Sequence, residues 1–157
     1  MTARTRADAL HVIARVGAEH FAFAVSDVEE AIDAPSLEWV PAAPAGLAGQ
    51  LRHRERTLSA FDAGWAFGVP RDARTATALV LRAGDRRAVL VVDDVDDLAA
   101  LDLATLRPAP AGTDADGVLA GVCLGIRNDG QLINLVRVDA LLDRAAATGA
   151  TTQEIAR

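Results

Sequence analysis

Cysteine is almost missing from this chain: Cys123 stands alone among 157 residues. Disulfides within the chain are therefore impossible, and a cysteine-rich zinc site is excluded with them. Lysine is absent altogether, every basic side chain being an arginine, a bias that reads as a GC-rich genome. No apolar run approaches the roughly 18 residues of a membrane-crossing helix. The opening MTARTRADAL has no apolar signal core, so the expectation is a cytoplasmic protein without direct membrane insertion. A formal net charge of −6 excludes a general nucleic-acid binder, since phosphate neutralisation needs a concentrated basic surface. The local group Arg52, Arg54 and Arg56 is too small to reverse this.

Catalytic and cofactor motifs are missing as well. There is no G-x-x-x-x-G-K, G-x-G-x-x-G, H-E-x-x-H or G-x-S-x-G. His11, His20 and His53 lie far apart and share no ligand spacing. His11 and His20 face each other across a hairpin at most, which makes a surface pair and not a metal site. The run Asp93, Asp94, Asp96 and Asp97 lacks the glycine and glutamate of a calcium loop, so it reads as a solvated turn. Asp114 and Asp116 read the same way. Ser26, Ser36 and Ser59 have no nearby candidate base. The expectation is a protein with no enzyme activity and no cofactor.

What is present is a series of short strands. Leu10, Val12, Ala14 and Val16 alternate with polar positions, Gly17-Ala18 turns, and Phe21, Phe23 and Val25 alternate again, which makes a hairpin. Ser26 with Glu29 resembles a capping box, and Val28 and Ile32 stand one helical turn apart, so a short helical turn is expected next. Pro35, Pro41 and Pro44 make 34–48 a surface loop. The stretch from Val40 to Asp62, VPAAPAGLAGQLRHRERTLSAFD, reads as a turn followed by a polar strand at a sheet edge or along a groove. Residues 64–70 read as an irregular connection in which Trp65 and Phe67 are apolar anchors.

A second hairpin, Thr77–Leu81 with Ala88–Val92, is continuously apolar, as a strand buried on both faces should be. After a loop over 107–117, Val118–Ile126 and Leu132–Val136 flank Asn128-Asp129-Gly130, a third hairpin signal. Cys123 within it reads as a small buried hydrophobe. Val138, Leu141, Leu142 and Ala145 follow a helical stripe that Gly149 ends, so the chain closes on a helix. The class is mostly β with one C-terminal helix, and strands this short suggest small barrels.

Four segments in order, EHFAFAVSDVEEA, VPAAPAGLAGQLRHRERTLSAFD, AVLVVDDVDD and GQLINLVRVDALL, carry a further resemblance. Glu19, Phe21, Ala22, Phe23, Val28 and Glu30 match one motif, and Pro41, Ala43, Pro44, Leu47 and Gly49 the next. Arg54 and Asp62 match an R-G-x-x-x-P-x-x-D step, and Leu90, Val91, Val92, Asp93 and Val95 a V-V-V-D-x-V step. From about Leu10 to Leu142 the chain is similar to the CheW family of chemotaxis coupling proteins. It departs at Glu55 and Asp94, where the family has glycine, and at Ser59, where it has proline.

The resemblance implies a single CheW-like domain over 10–147, between tails at 1–9 and 148–157, built from two SH3-like five-stranded β-barrels around a shared core. It implies a non-enzymatic adaptor between the cytoplasmic tips of methyl-accepting chemoreceptors and the regulatory domain of the histidine kinase CheA, recruited to receptor arrays. The receptor groove would draw on Val28, Glu30, Gly49, Arg54, Asp62, Val92 and Val95, with Glu30 and Arg54 as an ion pair. A kinase-pairing surface would fall in the second barrel, about residues 36–100. Glu55, Ser59 and Asp94 keep an alternative open: a diverged scaffold of a type IV pilus, another chemosensory pathway or a polar localisation complex, no longer coupling a kinase.

Overall fold

The structure, a computed structural model, describes residues 10–71, 74–110, 117–125 and 131–147. Five strands close into a barrel in the order β1-β2-β10-β9-β8: β1 (Leu10–Val16), β2 (Glu19–Ala24), β8 (Asp94–Arg107), β9 (Leu119–Gly125) and β10 (Leu132–Val136). Five more form a second sheet, β3-β6-β7-β5-β4: β3 (Val28–Asp33), β4 (Leu47–His53), β5 (Arg56–Asp62), β6 (Thr77–Ala83) and β7 (Arg86–Val92). Two helices complete the described residues, α1 (Ala63–Phe67) and α2 (Val138–Ala147). From β1 and β2 in the barrel the described chain goes on to build the whole second sheet, and it returns with β8, which pairs antiparallel with β1. Neither helix is long and apolar enough to cross a membrane.

Three apolar layers explain the hydrophobic patterning. Ile13, Ala22, Leu101, Cys123 and Ile133 fill the barrel. Leu51, Leu58, Ala60, Ala78, Val80, Val89 and Val91 line the concave side of the second sheet. Between them lies a shared core in which Val12, Phe21 and Phe23 meet Leu79, Leu81, Leu90 and Val92, sealed by Leu141 and Leu142 of α2. Successive side chains of a strand point to opposite faces. β6 and β7 therefore supply one layer with each face, which is why their sequences are apolar without interruption. Phe21 and Phe67 stack across the shared layer with ring centroids 4.1 Å apart. Cys123 packs in the barrel layer as a core hydrophobe, and burial pushes its thiol up, with the Asp102 charge adding to it.

Val138, Leu141, Leu142 and Ala145 are the buried residues of α2, as the stripe requires. β4 lies at an end of its sheet, as its charge predicts. Other expectations are corrected. Ser26 caps no helix: Val25–Asp27 is a single 3-10 turn without a side-chain cap. Val28 to Ile32 is strand β3, held by its ladder with β6, and Arg87 occupies the Glu29 carboxylate at 2.9 Å. A weak local cap thus loses to a long-range ladder. Residues 64–70 are not wholly irregular, because Asp62 Oδ1 accepts from the Gly64 amide at 2.7 Å and starts α1. Gly68, in the left-handed region at φ 71°, ends it.

The Val40–Asp62 stretch holds a complete β4–β5 hairpin, not one polar strand, and Leu58, Ala60 and Phe61 of β5 are buried. His11 pairs with Ala24 and His20 with Arg15, so the two histidines do not face each other. Asp93 is 3% exposed and is no solvated turn. The second sheet spans Val28–Val92, not 36–100, because β8 beyond Asp94 belongs to the barrel. The Asn128-Asp129-Gly130 turn, Asp114, Asp116, Gly149 and both tails lie outside the described residues.

Candidate functional site

The sheet order leaves β3 and β4 as the outer strands of the second sheet, with no ladder between them. They meet through side chains. Glu30 of β3 accepts a hydrogen bond from His53 Nε2 of β4 at 2.8 Å, so the sheet curls until its edges are joined there. Arg54 reaches the same carboxylate oxygen at 3.9 Å, with its side chain 73% exposed against 7% for His53. The Glu30–Arg54 pair implied by the resemblance therefore exists, as an exposed contact that contributes at most about 1 kcal/mol. His53 is the residue that sequence reasoning missed. Its signal was parity: on β4, Gly49, Leu51 and His53 are buried while Arg52 is exposed.

The turn that carries Arg54 is unusual. Arg54 and Glu55 both have positive φ, 53° and 66°. A two-residue hairpin turn demands this geometry and glycine adopts it best. Glu55 stands where the resemblance leads one to expect glycine, and with a side chain at φ 66° it makes the turn beside Glu30 a strained one.

Asp62 belongs to a different cluster. The Arg71 guanidinium bridges Asp62 Oδ2 at 2.9 Å and Asp93 Oδ1 at 2.9 Å, and it donates to the Thr75 carbonyl at 2.8 Å. Asp93 Oδ2 in turn accepts from the Gly17 amide at 2.7 Å, and Arg15 of β1 approaches it at 3.7 Å. The Arg71 and Asp93 side chains are 8% and 1% exposed. Burial by itself pulls the Arg71 guanidinium down, but hydrogen bonds and charge from Asp62 and Asp93 outweigh it and hold it above the ordinary value. This cluster ties the β1–β2 turn of the barrel to the ends of β5 and β7 in the second sheet. Sequence reasoning missed Arg71, which stands in a loop outside every motif.

The remaining predicted residues divide by burial. Val28 and Val95 are partly buried against the shared core, and Val92 has no exposed surface. A Cβ at Gly49 would lie 2.7 Å from the Glu38 carbonyl oxygen, because the segment before β4 crosses it and pairs Glu38 with Gln50. The space at Gly49 is thus filled by the chain itself. Trp65 is covered too, by Phe61 at 6.1 Å between centroids and by the Arg144 guanidinium 4.7 Å from its ring. Of the seven residues, the structure joins Glu30 to Arg54, and it links Asp62 to Val92 through Arg71, which lies 3.5 Å from the Val92 carbonyl. Among the described residues no group of three or more histidine, cysteine, aspartate or glutamate side chains is placed to hold a metal ion.

The sequence model of the CheW-like domain matches residues 11–146. This chain belongs to the CheW-like domain family. Among solved structures it is similar to the scaffolding protein TtCheW from Thermoanaerobacter tengcongensis, at a TM-score of 0.71 and 19% identity, over 83% of this chain and 89% of that one. At that identity the likeness concerns the fold: a CheW-like pair of SH3-like sheets around one core. No curated protein sequence matches this one.

Proposed function

We propose that this CheW-like chain is a non-enzymatic adaptor that couples chemoreceptor tips to the regulatory domain of the kinase CheA. The observation that carries this reading is the family match over residues 11–146, which takes in both sheets and the closing helix. The shared core, sealed on one side by α2, and the Arg71 bridge between Asp62 and Asp93 hold the two sheets against each other. Rigid scaffolding is what such a coupler contributes, since it lowers the ordering cost of bringing two partners together. The receptor contact lies beside the Glu30–Arg54 edge of the second sheet, and one kinase-pairing surface falls in that same sheet.

The test is co-sedimentation of the purified chain with a receptor tip and CheA. The adaptor reading expects the receptor tip and CheA to enter one complex only when this chain is added. It expects Arg54→Ala to reduce receptor capture modestly, about fivefold or less, while the fold survives. A complex that forms equally well without the chain overturns it. Failure to bind either component would favour the second reading, a scaffold that no longer couples a kinase. The specific feature favouring that alternative is Glu55, a non-glycine residue held at φ 66° beside the receptor edge.

A further inference from the structure

Glu30 has two basic neighbours, and they are not equivalent. Oε1 is 2.8 Å from His53 Nε2 and 3.9 Å from Arg54 Nη2. An ionised carboxylate can only accept hydrogen bonds, so Nε2 carries the proton that it donates. The imidazole is 7% exposed and belongs to the inward row of β4, whereas the Arg54 side chain is 73% exposed on a two-residue turn. Rotamer freedom follows exposure. A buried ring packed in a sheet has one orientation, while an exposed arginine spends side-chain entropy to hold any single contact. Glu29, the next residue on β3, binds Arg87 at 2.9 Å and Arg82 at 3.7 Å.

We infer that His53, and not Arg54, is the positioning residue of Glu30. The inference deepens the adaptor reading, in which Glu30 stands at the receptor edge. The imidazole fixes Oε1 from inside the sheet and joins the outer strands β3 and β4 where no backbone ladder joins them. Arg54 is left with a loose contact, its guanidinium exposed toward whatever docks on this edge. In this arrangement the carboxylate is preset before a partner arrives.

The test uses the full chain and two readouts. In the isolated protein, the His53 imidazole nitrogen resonances are compared between the wild type, Glu30→Gln and Arg54→Ala. The inference expects a shift in Glu30→Gln larger than that in Arg54→Ala. Resonances that ignore Glu30→Gln, or that follow Arg54→Ala more strongly, overturn it. In the second readout, affinity for a purified receptor tip is measured for His53→Phe and His53→Gln. His53→Phe should weaken binding about tenfold, the effect of losing a hydrogen bond to a charged group. His53→Gln, whose amide still donates, should recover most of that loss. A His53→Phe protein that binds like the wild type, or a His53→Gln protein as weak as His53→Phe, contradicts the inference. If the wild type binds no receptor tip, the adaptor reading fails, and the imidazole resonances decide the role of His53 by themselves.

Discussion

Arg71 and Asp93 meet at 2.9 Å with side chains only 8% and 1% exposed, and through them a loop of the second sheet is pinned to the first hairpin of the barrel. Such a buried pair is weak evidence of net stabilisation over an apolar alternative, but breaking it leaves a charge without its partner. Removing one member typically costs about 3–5 kcal/mol.

Arg71→Ala is expected to lower the unfolding free energy by about that amount, measured by urea denaturation. Asp62→Ala removes the more exposed partner and the cap of α1, and should cost less, about 1–2 kcal/mol. A loss below about 1 kcal/mol for Arg71→Ala would show that the cluster is not what locks the halves together.

The acid dependence of stability has a predictable contributor. The Arg87 hydrogen bond holds the Glu29 carboxyl below its ordinary 4.5, against the opposing pull of burial. A depressed folded value means the contribution is present above the unfolded value and is lost as pH falls through the folded one. Wild-type stability should therefore drop below about pH 4.5 more steeply than that of Glu29→Gln. Parallel curves for the two proteins would remove Glu29 from the explanation.

Glu55 at φ 66° carries the cost of a left-handed conformation that glycine does not incur. Glu55→Gly should stabilise the protein by about 1 kcal/mol in thermal or urea unfolding. A destabilised variant would mean that the Glu55 side chain makes up for the backbone strain.

Much of this fold was legible because its signals are short-range. The Leu10–Ala24 hairpin, the unbroken apolar runs of β6 and β7 and the α2 stripe each rest on neighbours within one element, and each appears in place. The polar edge position of β4 was legible from its charges. What sequence reading lost depends on distant partners. Asp93 sits in an aspartate-rich run that looks solvated, yet its partners are Arg71, 22 positions away, and the Gly17 amide, 76 positions away. Glu29 looked like half of a capping box until the β3–β6 ladder set it beside Arg87. His53 was hidden for a related reason: its partner Glu30 lies on a strand that never pairs with its own.

The proposed coupling requires direct contact between this chain and the kinase regulatory domain. It is tested most directly by calorimetric titration against the isolated regulatory domain of CheA from the same organism. Transient signalling pairs commonly bind in the micromolar range, about −8 kcal/mol. Saturable one-to-one binding of that order is expected. No heat and no complex at concentrations well above that range would contradict it.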